Sequence, residues 1–365
     1  MLADSVARFI DNDYDFETRQ KIAADDAGSG FWSTFAELGW TAVPFAEADG
    51  GLAGGPVELM LMMEQFGRGL VVEPFLANVV LAGGVLRRCA NAEQKARWVM
   101  PLIAGELQAA LAFAEPQGRY DIADIRTTAR ADGDGFRLQG RKTFVLHGAG
   151  AELLIVPART SGEQTSTDGI TLFAVAADSD GVSRTGFPTV DGQRAAELVL
   201  DGVGVPQDCV IGTVGEGYAD LEAVVDEGTL AISAEAVGII RAMQDKTLEY
   251  VKNRSQFGVP IGTFQALQHR LVDTLMACEQ SRSLLLWSVM TRDGGDDAAR
   301  KAVSAMKYQI GTAGVRVARE AVQMHGGMGV SWELDIAHYF KRLTAIDLTF
   351  GNADHHLRRY IELSG

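Results

Sequence analysis

The chain has 365 residues, 47% of them hydrophobic, and a formal net charge of −15 at pH 7. This length and composition allow a sizeable core divided over two or three domains, whereas the negative charge argues against nucleic acid and anionic membranes as partners, because both bind basic patches. No apolar run approaches the length of a membrane span and the first residues lack the apolar core of a signal peptide, so we expect a cytoplasmic protein.

Hydrophobic periodicity divides the chain into three regions. In residues 1–107 the apolar positions recur at helical spacing, which predicts an α-helical domain. Residues 108–216 contain short alternating runs separated by Gly, Asp and Ser, which predicts a β-barrel-like domain. Residues 217–365 return to the helical period, with long segments at 220–253, 264–291 and 296–325 that predict an antiparallel bundle. The expected fold class is α+β with three domains.

The cysteines and histidines show no metal-binding pattern. Cys89, Cys209 and Cys278 lie far apart and form no CxxC pair, so neither a disulfide framework nor a zinc site is indicated. The histidines have no ligand spacing with carboxylates or cysteines. We therefore expect no metal site and interpret His325, which lies in a glycine-rich segment, as structural.

Two segments of the third region carry the strongest functional pattern. Arg254-Ser-Gln-Phe-Gly-Val-Pro-Ile-Gly-Thr-Phe-Gln265 is followed about seventy residues later by Gln323-Met-His-Gly-Gly-Met-Gly329. Each is typical of a helix end entering a glycine-rich turn, where backbone N–H groups can face an anion and glycine lets a ligand approach. Together they predict a clamp for a diphosphate cofactor. The alternative is two ordinary helix ends, with glycine as a C-cap and Arg254 favoured by the helix dipole.

Both segments, at this separation, resemble the C-terminal domain of the acyl-CoA dehydrogenase family. Phe113-Ala-Glu-Pro116 and Gly140-Arg-Lys-Thr-Phe144 resemble motifs of that family's middle domain, and the resemblance extends over nearly the whole chain. It implies a flavoprotein with FAD as cofactor, an acyl-CoA thioester as substrate and electron-transfer flavoprotein as acceptor. It also implies an N-terminal helical domain, a middle β-domain and a C-terminal four-helix bundle.

The resemblance further implies which residues hold FAD, in this family across a subunit interface. Arg254 would pair with the pyrophosphate, Gln265 and Gln323 would bind the adenosine portion, and Phe257 would pack against the cofactor. The full set of implied cofactor-binding residues is Arg254, Gln256, Phe257, Ile261, Phe264, Gln265, Gln323, Met324, Gly326 and Gly327.

The catalytic base is missing from its usual place. Removing the α-proton of an acyl thioester requires a base, and the position matching the family's usual glutamate is Phe350. Some members carry the base on the first long helix of the C-terminal domain, where this chain has Gly228. Glu227 is a weak candidate, because one residue along a helix is a rotation of about 100°. We expect Asp226 and Glu227 to lie on a solvated or interface face of that helix.

The side chains that would contact the flavin ring also differ from the family pattern. Ala114 stands where the family has a threonine, and Arg119-Tyr120-Asp121 stands where it has a Gly-Ser-Asp turn. Phe144 and Leu146 replace a tryptophan and a threonine. Phe144 could still stack, but neither Ala114 nor Leu146 can donate a side-chain hydrogen bond to the isoalloxazine.

Shorter motifs resemble one branch of the family, the small subunits of pimeloyl-CoA dehydrogenases. They are Tyr14–Phe16, Leu146–Gly148, Arg194–Glu197, Ala234–Gly238 and His338–Leu343. This resemblance implies a homologous partner subunit. The sequence therefore predicts a base-deficient small subunit of an α2β2 heterotetramer. The alternatives are a self-sufficient homotetramer with Glu227 as base and a structural or regulatory subunit that touches no cofactor.

Overall fold

The computed structural model describes residues 2–24, 30–291 and 296–365. The chain divides into two compact units. We call the first the helical unit; it comprises Met1–Lys21, Pro56–Val71 and Thr229–Gly365. We call the second the sheet unit; it comprises Ile22–Gly55 and Val72–Gly228. Among the helices of the described residues, none is long and apolar enough to cross a membrane.

The helices occur at both ends of the chain. In chain order they are α1 (Leu2–Asp13), α2 (Phe16–Ala24), α3 (Trp32–Glu37), α4 (Pro56–Gly69), α5 (Gly83–Cys89), α6 (Ala92–Gln94), α7 (Met100–Ile103), α8 (Tyr218–Asn253), α9 (Gln265–Thr291), α10 (Asp296–His325), α11 (Asp335–Leu348) and α12 (Ala353–Glu362). Helices α8, α9 and α10 confirm the three long segments that the hydrophobic period predicts. Residues 292–295, between α9 and α10, lie outside the described ranges.

The middle of the chain forms one sheet of eight strands, as the alternating runs predict. The strands are β1 (Ala109–Leu111), β2 (Thr128–Asp132), β3 (Gly135–Leu146), β4 (Leu153–Arg159), β5 (Ile170–Ala176), β6 (Val182–Pro188), β7 (Arg194–Pro206) and β8 (Val210–Ile211). Their order is β6-β7-β3-β2-β4-β5-β8, and β1 pairs in parallel with β4. Strands β4 and β5 are buried along nearly their whole length, so the core of the sheet unit lies around them. A separate hairpin, β9 (Ser255–Gln256) and β10 (Val259–Pro260), follows α8.

Close backbone contact joins α4 to α8 in the helical unit. A Cβ atom on Gly238 would lie 1.9 Å from the Glu64 carbonyl oxygen, and one on Gly67 would lie 2.0 Å from the Glu235 carbonyl oxygen. Only glycine permits this approach. Beside it, Arg342 donates to both carboxylate oxygens of the buried Glu235 at 2.6 and 2.7 Å. The motifs Ala234–Gly238 and His338–Leu343 therefore meet in the core of the helical unit, where their contacts are structural.

Candidate functional site

The first clamp segment is a short hairpin at the end of α8. Strands β9 and β10 pair across a two-residue turn in which Phe257 has φ +54° and Gly258 has φ +82°. Positive φ at both central residues is the geometry of a type I′ hairpin turn. The Phe257 side chain is 92% exposed and makes an edge contact with Phe264 at 6.2 Å between ring centroids. The hairpin thus presents an aromatic ring to the outside of the helical unit.

The second clamp segment is a glycine turn at the end of α10. The helix ends at His325 and continues as a 3-10 turn over Gly326–Val330. Gly326 has φ +62°, which favours glycine, and a Cβ atom on Gly326 or Gly327 would meet nothing within 4 Å. At Gly329, by contrast, a Cβ atom would lie 2.7 Å from the Val322 carbonyl oxygen. One side of the turn is therefore packed and the other is open to a ligand.

Packing brings the two clamp segments together, although they are far apart in sequence. The Tyr250 ring, in the last turn of α8, stacks on the His325 ring with centroids 4.2 Å apart. Met324, next to His325, lies in a buried apolar cluster with Val251 and Leu271, against which Tyr250 and Ile261 pack. Ile261 donates its backbone N–H to the Arg254 carbonyl at 2.8 Å, which fastens the hairpin to the helix end.

The polar side chains of the clamp are exposed and available to a ligand. Within the part of the chain that the structure describes, Arg254, Gln265 and Gln323 form no side-chain hydrogen bond or ion pair. Among the described residues, the Gln256 side chain donates only to the neighbouring Ser255 carbonyl, at 3.0 Å. A guanidinium with several donors, free amides and an open glycine turn together fit the pyrophosphate and adenosine of FAD.

Glu227 is buried within the chain, so the solvated face expected for it is wrong, while the alternative of an interface face stays a prediction. Asp226 and Glu227 are each only 8% exposed within the chain itself. Arg87 donates from Nη2 to both carboxylate oxygens of Glu227, at 2.6 and 2.7 Å, and from Nη1 to the Pro44 carbonyl at 2.8 Å. The guanidinium thus neutralises the charge of the carboxylate and donates to both of its oxygens. Arg87 lies 140 residues away in sequence, so no local sequence pattern could predict this ion pair.

Phe350 lies in a loop whose backbone is firmly held. The loop follows α11, and Phe350 has φ +58°, a conformation that bulky residues seldom adopt. Lys307 of α10 donates from Nζ to the carbonyl oxygens of Ile346, Asp347 and Gly351 at 2.8–2.9 Å. The His356 ring nitrogen Nε2 lies 3.0 Å from the Phe350 carbonyl oxygen. The backbone around Phe350 is therefore fixed by these contacts, and the phenylalanine side chain itself cannot accept a proton.

Lys307 is a residue that sequence reasoning missed. It is 0% exposed and lies on the buried face of α10 with Val303, Met306 and Ile310. Burial lowers the pKa of the ammonium to about 8, against an opposing effect of Asp347. A lysine in an otherwise apolar helical stripe is the signal that could have indicated it.

The middle-domain positions that differ from the family pattern lie together in the sheet unit. Thr143 donates its backbone N–H to the Ala114 carbonyl at 2.9 Å, next to an irregularity of the β3–β7 ladder between Lys142 and Val145. At this irregularity Phe144 has φ +49° and is 46% exposed. The structure thus presents the Phe144 ring outward, while Ala114 and the half-buried Leu146 offer no side-chain donor.

The two polar motif residues beside these positions pair with each other. Glu115 accepts from the fully buried Lys142 Nζ at 2.7 Å and from the backbone N–H groups of Arg126 and Thr127. Burial alone would raise the pKa of the Glu115 carboxyl, but Lys142 and the other donors outweigh it and lower the pKa to about 2. The pair holds the segment that leads to the turn at Arg119, which is exposed and has φ +48°.

Comparison with known proteins agrees with this geometry. The chain matches the N-terminal, middle and C-terminal domain models of acyl-CoA dehydrogenase over residues 1–106, 110–203 and 215–362. It is 29% identical to the probable acyl-CoA dehydrogenase YngJ of Bacillus subtilis over 338 residues, which cover 90% of this chain and 89% of that protein.

Solved structures show the same fold over the whole chain. The FAD complex of PigA matches with a TM-score of 0.93 and 26% identity, covering 100% of this chain and 97% of that one. The ChsE4-ChsE5 complex of Mycobacterium tuberculosis matches with a TM-score of 0.89 and 27% identity, covering 99% and 95%. The chain belongs to the acyl-CoA dehydrogenase family, a family of oxidoreductases whose cofactor is FAD.

Proposed function

We propose that the chain is the base-deficient small subunit of an α2β2 acyl-CoA dehydrogenase and completes the FAD site of a homologous partner subunit. The observation that carries this proposal is the state of the two base positions. One holds Phe350, which cannot accept a proton, and beside the other Glu227 is bound through both oxygens by Arg87. The partner would therefore supply the base.

The reaction divides between the cofactor and the protein. When bound, FAD accepts the β-hydride of the acyl thioester, and a carboxylate base must take the α-proton. In this proposal the chain contributes the other end of the cofactor site. Arg254 neutralises charge on the pyrophosphate, and Gln265 and Gln323 bind the adenosine portion. The electron acceptor expected from the family is electron-transfer flavoprotein.

The exposure of the clamp supports a role toward another subunit. Its contact side chains point outward from the helical unit, and Phe257 is almost fully exposed. Such a surface is typical of residues that meet a partner or ligand. One structural relative is solved as a complex of two differently named proteins, ChsE4 and ChsE5, which shows that this fold occurs in assemblies of two chains.

Purification of the chain alone, and of the chain with its partner, tests the proposal. We expect the chain alone to carry little flavin in an ultraviolet–visible spectrum and to give no acyl-CoA-dependent dye reduction. The co-purified complex is expected to be yellow and active. A stoichiometric flavin band with turnover in the chain alone would favour the homotetramer that uses Glu227. A complex whose flavin content and activity do not respond to changes in the clamp would favour a purely structural subunit.

A further inference from the structure

The clamp consists of contact groups on two separate segments. Arg254 follows α8, and the Gly326–Gly327 turn follows α10. A diphosphate is held well only if both segments already stand at the right separation, because ordering them on binding would cost affinity. Something in the helical unit must therefore fix the distance between Arg254 and the glycine turn.

The stacked rings of Tyr250 and His325 form a direct link between the two segments. The ring planes lie 26° apart at a centroid distance of 4.2 Å. The backbone carbonyl of Tyr250 accepts the Arg254 N–H at 2.8 Å, and the Tyr250 hydroxyl donates to the His325 carbonyl at 3.4 Å. His325 directly precedes Gly326. The Tyr250 ring is thus close in sequence to Arg254, the His325 ring is adjacent in sequence to the glycine turn, and the two rings contact each other.

The protonation state of His325 argues against a direct contact with phosphate. Its Nδ1 lies 2.8 Å from the Ala321 carbonyl oxygen, so Nδ1 carries the proton and donates it there. Burial lowers the pKa of the imidazole, which keeps the ring neutral at neutral pH. The other nitrogen, Nε2, then has no proton to offer an anion. This geometry indicates that His325 does not bind the phosphate directly and has a structural role beside the clamp.

We propose that Tyr250 and His325 are positioning residues that set the separation of Arg254 and the Gly326–Gly327 turn and thereby the affinity for FAD. The inference rests on that part of the proposed function in which the clamp holds the FAD diphosphate. It does not depend on whether the base comes from this chain or a partner. Tyr250 also packs against the buried cluster of Val251, Leu271 and Met324, which restricts its freedom to move away from His325.

The test compares ring-removing and ring-keeping variants in the FAD-loaded oligomer that the chain forms. Tyr250→Leu and His325→Leu remove one ring while keeping apolar volume, whereas His325→Phe keeps a flat ring. FAD dissociation constants are measured by the rise in flavin fluorescence on release. Each leucine variant is expected to weaken FAD binding by about tenfold, and His325→Phe by less than about threefold. Tyr250→Met replaces Tyr250→Leu if the latter does not assemble.

A double-mutant cycle with Arg254→Ala separates positioning from a general loss of structure. If the rings act through the clamp, the effect of His325→Leu should shrink to about twofold once Arg254 is absent. Unchanged FAD affinity in the leucine variants, or the same tenfold loss with and without Arg254, would overturn the inference. If Arg254→Ala itself leaves FAD affinity unchanged, the proposed clamp fails instead, whatever the rings do.

Discussion

The clamp and the loop around Phe350, which we call the base loop, lie in the same helical unit, yet under the proposed function they would supply different parts of a catalytic site. In the clamp both the backbone and the side chains suit an FAD diphosphate, with Arg254, Gln265 and Gln323 exposed around an open glycine turn. In the base loop the backbone alone is retained. Phe350 has φ +58° and is held by Lys307 and His356, but its side chain does no proton chemistry.

This difference shows that scaffold and chemistry can be separated. A bulky residue at positive φ costs of order 1–3 kcal/mol and persists only where its surroundings fix it. Here three carbonyl oxygens bound by one buried ammonium provide that fixation. These bonds are made to backbone carbonyl oxygens, so the shape of the loop does not require a carboxylate at position 350.

The largest expected effect comes from removing the support of the base loop. Lys307→Met leaves three carbonyl oxygens without their shared donor, which should lower the free energy of unfolding by roughly 2–4 kcal/mol. Lys301→Met, on the same helix, should change it by less than about 0.5 kcal/mol. Urea unfolding measures both. Equal stability of the two variants would mean that the loop does not depend on Lys307.

The difference in the free energy of unfolding between the parent and Lys307→Met should also depend on pH. The Lys307 pKa is about 8 in the folded chain, against an ordinary value of 10.5. Between these values the unfolded chain binds the proton more strongly, so the stability of the parent rises with pH, by at most about 3 kcal/mol. Lys307→Met lacks this term. The stability gap between parent and variant should therefore widen from pH 8 to 10.5, and a gap that narrows would contradict the assignment.

The next prediction tests the clamp, through the contribution of Arg254 to FAD binding. A charge-assisted hydrogen bond contributes roughly 1.5–3 kcal/mol, so Arg254→Ala should weaken FAD binding by about one to two decades. Gln323→Ala should act in the same direction with a smaller loss. The control is Lys252→Ala, which removes an exposed cation two residues earlier and should have little effect. Flavin titration that finds Arg254→Ala and Lys252→Ala alike would remove the clamp from the cofactor site.

The smallest expected effect concerns Glu227. Because Arg87 occupies its carboxylate, Glu227→Gln should leave the rate of flavin reduction by substrate in the assembled complex within a few-fold of the parent. Loss of a general base would instead cost about 10²–10⁴-fold while FAD stays bound. Rapid-mixing absorbance measurements isolate this step. A hundredfold loss would show that the Arg87 pair opens and that Glu227 is the base.

Sequence patterns predicted the long helices and the sheet, because apolar periodicity directly reflects which face is buried. They also indicated the clamp segments, since positive φ and close ligand approach restrict residue choice to glycine at positions such as Gly326. They failed for contacts between distant side chains. The Arg87–Glu227 pair is 140 residues apart, and the carbonyls that Lys307 binds lie 39–44 residues beyond it. Neither the ion pair nor the Lys307 contacts produce a periodic pattern in the sequence from which they could be predicted.

The crossing of α4 and α8 restricts natural variation at two positions outside the clamp, Gly67 and Gly238. At Gly67 and Gly238 even a methyl group would lie within 2.0 Å of a carbonyl oxygen of the other helix, so the helices would have to move apart. Alanine normally favours a helix by about 1 kcal/mol over glycine, but that preference is far too small to offset such a displacement. Missense alleles at either codon should therefore abolish accumulation of the protein, although neither residue belongs to the proposed binding site.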